Sequence, residues 1–193
     1  MQAAADQTEG SMVSIIGLDE QKTSQLAAEA AGGELLCAVN FNCPGQIVLS
    51  GAVAACQRAA ELAPAYGAIK AVPLEVAGAF HTSMMATAET KLRQALSSTE
   101  ISAPVDMKVI ANIDAQYYGD AESIREGLAK QLTSPILWQQ CMERLLADGV
   151  EEFYEIGPGR VLTGLMRRIR RKTKVVNVST LQALEELLER APV

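Results

Sequence analysis

The sequence is poor in aromatic residues and in positive charge, and both shortages restrict what it can bind. It has one tryptophan, four tyrosines and three phenylalanines, and its formal net charge at pH 7 is −6. Proteins that hold nucleic acid use a basic surface with aromatic side chains that stack on bases. The composition therefore argues against a nucleic-acid partner.

Histidine and closely spaced cysteines are scarce as well. His81 is the only imidazole, and the four cysteines, Cys37, Cys43, Cys56 and Cys141, form no C-x-x-C pair. Zinc sites need several such ligands at short spacing, so we expect no metal site. Small and apolar residues surround the cysteines, which predicts buried, reduced thiols in a cytoplasmic protein.

The chain has no apolar run suited to crossing a membrane. Its longest uncharged run, residues 35–57, carries Asn40, Asn42 and Pro44 near its centre, and a lipid-spanning helix does not tolerate these together. The N-terminus lacks the basic and then apolar segments of a signal peptide. We therefore expect no membrane partner. With 49% hydrophobic and 21% charged residues, the composition is typical of a folded chain.

Residues 11–77 predict a small subdomain with the order βαββαβ. Apolar and β-branched runs alternate with an alanine-rich helix, which begins at the N-cap Asp19 and ends at Gly32. This order is that of the split-βαβ, ferredoxin-like unit. The predicted elements are strands at 12–17, 35–41, 46–49 and 69–76, a turn at 42–45, and helices at 20–31 and after a cap at Ser50.

Residues 78–193 predict strands alternating with helices, the pattern of a parallel, layered α/β sheet. Val105, Met107 and Val109 alternate with charged residues and predict a strand, and Pro135 predicts the start of a helix. Because parallel sheets need cover on both faces, we expect these strands to be part of a larger sheet. The other predicted elements are helices near 85–96, 124–132 and 161–169, strands at 153–156 and 175–178, and a C-terminal helix.

His81 is the candidate general base, because it lies between the two predicted subdomains, where loops display functional groups. A purely structural histidine is the alternative. The chain contains no Gly-x-Ser-x-Gly elbow. Cys43 is the internal candidate nucleophile, which would make a thiol hydrolase with His81, although its position in a predicted turn favours a packing role.

Two further segments are candidates for binding. The carboxamides of Asn40, Asn42 and Gln46 suit an amide-bearing ligand such as a pantetheine arm, or they close their own turn. The segment 157–160, Gly-Pro-Gly-Arg, precedes a helix whose N–H groups would suit an anion. It lacks the Gly-Lys-Ser/Thr ending of a phosphate loop, which favours a plain tight turn.

A basic segment at 167–174 contains six of the 17 Lys and Arg residues and no acid. Such a segment can steer an acidic partner towards the protein. A solvated helix end that complements the helix dipole is the alternative.

Several segments taken together resemble the malonyl-CoA:acyl carrier protein transacylases and the related acyltransferase domains of polyketide synthases. They occur in the family's order over nearly the whole chain. The resemblance implies an α/β fold, with a ferredoxin-like small subdomain at 11–77 and the C-terminal part of an α/β-hydrolase-like acyltransferase subdomain at 78–193. The segments are MVSIIGL at 12–18, NFNCPGQIVLSG at 40–51, GAFHT at 78–82, KQLTSPILW at 130–138 and EIGPGRVLTGL at 155–165.

The resemblance also implies a ping-pong reaction of fatty acid biosynthesis, in which a serine takes malonyl from malonyl-CoA and passes it to the phosphopantetheine thiol of acyl carrier protein. His81 would take the serine proton and return it to the leaving thiol, while the Gln131 carbonyl holds the imidazole. Asn42 and Gln46 would line the acyl and pantetheine channel, and Phe80 would favour malonyl over branched groups. CoA thioester is then a substrate, and no cofactor is needed.

From its charge alone, and not from the resemblance, the basic segment with Arg167, Arg168, Arg170 and Arg171 would suit docking of an acidic carrier protein. The family's serine, its oxyanion glutamine and its malonyl-binding arginine would all precede Met1. We therefore expect this chain alone to be inactive. The alternative is a non-catalytic module that binds CoA or a carrier protein and has lost the chemistry.

Overall fold

The computed structural model describes residues 1–190, and the chain consists of two compact units, a first unit, Met1–Cys141, and a second unit from Met142 on. The predicted boundary at 77/78 stays a prediction. The helices are α1 (Gln2–Ala5), α2 (Glu20–Ala31), α3 (Val53–Leu62), α4 (Ala86–Ser97), α5 (Ala121–Lys130), α6 (Trp138–Ala147), α7 (Val161–Ile169) and α8 (Leu181–Arg190). The strands are β1 (Gly10–Ile16), β2 (Leu36–Cys43), β3 (Gln46–Ala52), β4 (Lys70–Pro73), β5 (Glu152–Ile156) and β6 (Lys174–Val178).

The first unit is built on an antiparallel sheet with the strand order β2-β3-β1-β4. The predicted order βαββαβ is confirmed, with α2 between β1 and β2 and α3 between β3 and β4. Asp19 caps α2 as predicted, because its carboxylate accepts from the Lys22 amide at 2.8 Å, and Gly32 ends the helix with φ 56°.

Helices α2 and α3 cover one face of this sheet. Val13, Ile15 and Leu49 point from the strands into a core that Leu26 and a series of small residues complete. Alanine at the helix contacts lets the two helices pack closely on the sheet and on each other. The buried alanines of this core are Ala27, Ala30, Ala55, Ala59 and Ala63.

The opposite face of the sheet is covered by the segment that leads to His81. Met12, Val39 and Val48 form a second buried cluster, and Phe80 packs against it. Ala79 is 0% exposed and lies against Gly10, where a Cβ atom would come within 2.4 Å of the Ala79 amide nitrogen. Glycine at the start of β1 therefore permits a close approach of the two backbones.

Two details of the β2–β3 hairpin differ from the prediction. Ser50 does not cap α3, because β3 continues to Ala52 and the ladder with β1 runs as far as Gly10↔Ala52. The turn is also shorter than expected, since β2 extends through Asn42 and Cys43 and only Pro44 and Gly45 connect the strands.

The predicted strand at Val105–Val109 is absent. Val105 is 87% and Met107 70% exposed, and the nearest sheet-like contact is an isolated bridge between Ile110 and Tyr117. Alternation predicts a strand only where one face is buried against other residues. In the described residues 1–190, no neighbouring strand pairs with this segment.

Pro135 does not open a helix either, because main-chain bonds to β2 hold the following residue extended. The Ile136 amide donates to the Val39 carbonyl at 2.7 Å, and the Ile136 carbonyl accepts from the Phe41 amide at 2.9 Å. Helix α6 consequently begins at Trp138.

In the second unit, β5, α7 and β6 form a parallel βαβ unit, with a register from Glu152↔Lys174 to Ile156↔Val178. The predicted parallel pairing is confirmed for these two strands. The larger sheet stays a prediction, and Ile156 is 78% exposed. Across residues 1–190, no helix has both the length and the apolar character needed to cross a bilayer.

Candidate active site around His81

The His81 ring contacts one main-chain oxygen, and this contact defines which nitrogen can act as a base. Nδ1 lies 2.9 Å from the carbonyl oxygen of Gln131, and the side chain is half-buried. A carbonyl oxygen only accepts, so Nδ1 carries the proton in this contact. The neutral ring then has Nε2 as its free acceptor, which is the form a general base requires.

Gln131 presents its carbonyl because it lies just past the end of α5, where helix carbonyls lack intrahelical partners. Its side-chain amide closes the next turn by donating to the carbonyls of Ser134, at 3.1 Å, and Pro135, at 2.9 Å. The structure thus brings the two predicted catalytic residues, His81 and Gln131, into direct contact. Their catalytic roles stay predictions.

The loop after Gln131 is also held by helix α4. The Thr133 hydroxyl donates to the Glu89 carboxylate at 2.6 Å, and Glu89 is paired with Arg93. The bond from Thr133, and then the bond and charge of Arg93, outweigh burial and lower the pKa of Glu89. This contact spans 44 residues, and no sequence pattern signalled it.

His81 has a left-handed backbone, with φ 62°, a conformation that is unfavourable for a residue with a side chain. Its neighbours fix it on both sides. The buried Thr82 hydroxyl donates to the Ala79 carbonyl at 2.7 Å and accepts from the Met84 amide. The buried Ser50 hydroxyl donates to the Phe80 carbonyl at 2.8 Å.

The ring of Phe80 is half-buried between two apolar clusters. On one side it packs against the cluster of Met12 and Val48, and on the other against that of Ala5 and Met85. Phe80 therefore contributes to the packing of the segment before His81. Its expected role in acyl selectivity stays a prediction.

The predicted channel residues Asn42 and Gln46 lie at the turn end of the β2–β3 hairpin. Asn42 is the extra residue of a bulge, since the register passes from Phe41↔Ile47 to Cys43↔Gln46. Asn40, two residues earlier, forms the bridge to Ile136. The structure thereby joins the strand that carries the carboxamides to the loop that begins at Gln131.

The four cysteines are free thiols. Cys43, Cys56 and Cys141 are buried and Cys37 is half-buried, so the prediction of buried thiols is confirmed for three of them. Burial raises the pKa of both Cys56 and Cys141 to about 11. The Cys43 thiol lies 3.7 Å from the Gln46 amide oxygen, which fits a packing role better than that of a nucleophile.

The N-terminus of α7 is occupied by a carboxylate of the protein itself. Glu155 at the end of β5 accepts from the amides of Leu162 and Thr163, both at 2.9 Å, and from the Thr163 hydroxyl. Burial raises the pKa of Glu155, but these bonds outweigh it and lower the pKa overall. The segment 157–160 is therefore a tight turn next to a filled helix end.

The basic segment lies elsewhere in the second unit. Arg167 and Arg168 are in the last turn of α7, and Arg170 and Arg171 lead into the amino end of β6. All four are exposed. Open parallel α/β sheets bind ligands at the carboxyl ends of their strands. Arg170 and Arg171 lie at the opposite end of the β5–β6 pair, before the amino end of β6. Docking of a carrier protein on these arginines stays a prediction.

Among residues 1–190, no three His, Cys, Asp or Glu side chains form a group that could hold a metal ion. That no cofactor is needed stays a prediction.

No family model matches the chain. Over 186 residues, 96% of its length, it is 39% identical to the malonyl CoA-acyl carrier protein transacylase of Bacillus subtilis and 40% identical to that of Salmonella typhimurium. It spans 58% of each of these curated relatives.

Solved structures give the same result. An acyl carrier protein S-malonyltransferase from Vibrio cholerae matches with a TM-score of 0.89 at 38% identity, covering 96% of this chain and 61% of that one. A malonyl-transacylase solved in complex with a type II polyketide synthase acyl-carrier protein matches with a TM-score of 0.91 at 36% identity, covering 98% and 62%.

The mixed α/β fold is thus shared with acyltransferases of solved structure. Within this class, the chain is homologous to the malonyl CoA-acyl carrier protein transacylases over nearly its whole length. The resemblance stated from the sequence segments is confirmed.

Proposed function

We propose that this chain supplies the histidine-bearing part of a malonyl-CoA:acyl carrier protein transacylase, which transfers malonyl from CoA to the phosphopantetheine thiol of the carrier protein in fatty acid biosynthesis. The observation that carries the proposal is the 2.9 Å contact between His81 Nδ1 and the Gln131 carbonyl. It leaves Nε2 as the proton acceptor that acyl transfer to a serine requires.

In the proposed reaction, Nε2 of His81 takes the proton of a serine hydroxyl as its oxygen attacks the malonyl thioester carbonyl. The C–S bond then breaks, and the CoA sulfur leaves as a thiol with the proton from His81. In the second half, Nε2 takes the proton of the carrier thiol, whose sulfur attacks the malonyl ester, and then returns it to the serine oxygen. The Gln131 carbonyl stabilises the imidazolium in both halves.

The serine of this mechanism is proposed to come from outside the 193 residues. No Gly-x-Ser-x-Gly elbow occurs in them, and the curated relatives cited are longer than the part that the chain spans. Asn42 and Gln46 are proposed to bind the pantetheine arm, Phe80 to limit the acyl group, and the arginines at 167–171 to dock the carrier protein. No cofactor takes part, and the free thiols suit a cytoplasmic location.

The first test is intact-mass spectrometry of the chain after incubation with malonyl-CoA, and with acyl carrier protein in a second sample. We expect neither a malonyl adduct nor transfer. A malonyl adduct on the chain would contradict the proposed source of the nucleophile. If the adduct maps to Cys43 and is lost in Cys43→Ala, the thiol hydrolase is favoured instead.

The second test joins the chain to the portion of the Bacillus subtilis relative that the alignment leaves uncovered. We expect malonyl transfer to acyl carrier protein, and a loss of about 10²–10⁴-fold in His81→Ala, the range of general acid–base catalysis. Transfer that His81→Ala leaves unchanged would exclude the proposed mechanism.

A non-catalytic module that binds CoA or a carrier protein is the second candidate, favoured by the absence of a serine elbow from the 193 residues. The joined protein distinguishes the two functions. Binding of malonyl-CoA without any transfer, although the serine is present and the protein is folded, would favour the binding module.

A further inference from the structure

We propose that Ser50 is a positioning residue that holds His81 in the orientation needed to bond the Gln131 carbonyl. The importance of this role for catalysis rests on the proposed function. The effect of Ser50 on the contact between His81 and Gln131 can be tested without any enzymatic activity.

Ser50 lies in the middle of the sheet with its side chain on the face opposite α2 and α3. It is 0% exposed, and its ladder partners are Met12 on β1 and Cys37 on β2. A hydroxyl at such a position is unfavourable unless it forms a hydrogen bond. Its bond goes to the Phe80 carbonyl, 30 residues further along the chain, at 2.8 Å.

The Phe80 carbonyl belongs to the same rigid peptide plane as the amide of His81. The rotation that follows this plane along the chain is φ of His81, which has the unfavourable value of 62°. The hydrogen bond from Ser50 fixes the orientation of this plane. It thereby fixes the direction in which the chain enters His81. The strand thus holds the plane before His81, while Gln131 holds the ring.

The bonds on the other side of His81 do not substitute for this contact. Thr82 ties its hydroxyl to the Ala79 carbonyl and the Met84 amide, which stabilises the turn that follows. Neither bond restrains the peptide plane between Phe80 and His81. Without Ser50, this plane can rotate, φ of His81 can relax to a negative value, and the ring leaves the Gln131 carbonyl.

The test uses Ser50→Ala and reads the ring directly. His81 is the only histidine, so its side-chain ¹⁵N and ¹H NMR signals are unambiguous. In the unchanged chain, we expect the neutral form of the ring to carry its proton on Nδ1. In Ser50→Ala, we expect a mixture that includes the tautomer with the proton on Nε2, which cannot donate to Gln131.

Ser14→Ala is the matched control. Ser14 lies in β1 of the same sheet and is also buried, but its hydroxyl has no hydrogen-bond partner among residues 1–190. Both variants remove one buried hydroxyl from the same sheet, but only Ser50→Ala also removes a hydrogen bond. An effect of the missing hydroxyl group alone would therefore appear in both variants. Backbone amide spectra of β1 and β3 establish that each variant remains folded.

The proposal is overturned if the His81 tautomer in folded Ser50→Ala equals that of the unchanged chain, or if Ser14→Ala shifts it as strongly. In the joined protein, we further expect Ser50→Ala to lower kcat about 10- to 100-fold, since small misplacements of a catalytic group cost this much. If Ser50→Ala changes the tautomer but not kcat, Ser50 does position the His81 ring, but this positioning does not contribute to catalysis. If the joined protein is inactive throughout, the proposed function fails and the NMR result still decides the role of Ser50.

Discussion

Replacing Gly10 with alanine tests the close packing beneath His81. The added Cβ would lie 2.4 Å from the amide nitrogen of Ala79 and 2.7 Å from its Cβ. Ordinary contacts begin near 3.4 Å, so the backbones must separate by 3.4 − 2.4 = 1.0 Å. Ala79 is 0% exposed, and backbone atoms cannot rotate out of the way as a long side chain can.

The expected cost has two parts. Overpacking a well-packed site lowers the free energy of unfolding by about 1–3 kcal/mol. Because Ala79 is two residues before His81, part of the displacement reaches the imidazole. A shift of about 1 Å in a catalytic group lowers activity by about 10²-fold in the joined protein.

Urea unfolding followed by tryptophan fluorescence measures the first part, since Trp138 is the only tryptophan and lies in the first unit. The NMR signals of His81 measure the second. Gly119→Ala is the control, because a Cβ there meets nothing within 4 Å and φ is not positive. Surface substitutions change the free energy of unfolding by no more than about 0.5 kcal/mol. If Gly10→Ala stays within this range and the His81 signals do not move, the close approach is refuted.

Three further changes test other parts of the structure. Glu155→Gln should destabilise the second unit at pH 7, because the folded structure lowers the pKa of Glu155. The Glu155 carboxylate therefore stabilises the fold above its pKa in the unfolded chain, near 4.3. This stabilisation is lost as the pH falls through its pKa in the folded chain. Circular dichroism against pH should therefore show a weaker acid dependence in Glu155→Gln, and an unchanged curve would contradict this. Gly164→Ala should raise the free energy of unfolding by about 1 kcal/mol, because Gly164 lies in α7 and the new methyl group meets open space. A lower Tm than that of the unchanged chain would contradict this. Ile136→Pro removes the amide that donates to Val39 and should loosen His81 from Gln131, whereas an unaltered His81 tautomer would show that this bond does not hold the loop.

The secondary structure of the first unit was largely predictable because its signals are local. Alternating apolar residues, the Asp19 cap and Gly32 all act within a few residues of the element that they define. The errors at Ser50 and Pro135 have another origin. Both residues have the right chemistry for a helix start, but long-range contacts hold Ser50 in a strand and the residue after Pro135 against β2.

The site was predictable only in part. His81 is conspicuous as the only imidazole, at a boundary between two sequence patterns, whereas Gln131 was indicated solely by the resemblance to the transacylases. The bonds from Ser50 to Phe80 and from Thr133 to Glu89 join residues 30 and 44 positions apart. Serine and threonine are common, and nothing in their spacing distinguishes these two from the others.

The two hydrogen bonds of Ile136 to β2 have a consequence for misfolding. Strand β2 lies at the edge of its sheet, and an open edge pairs readily with strands of other molecules. Ile136 covers the Val39 carbonyl and the Phe41 amide on that edge, and it lies in the loop that begins at Gln131. When this loop detaches, the edge of β2 becomes available for pairing with another molecule. The same movement takes the Gln131 carbonyl away from His81. We therefore expect loss of the His81–Gln131 contact and aggregation to begin with the same local opening.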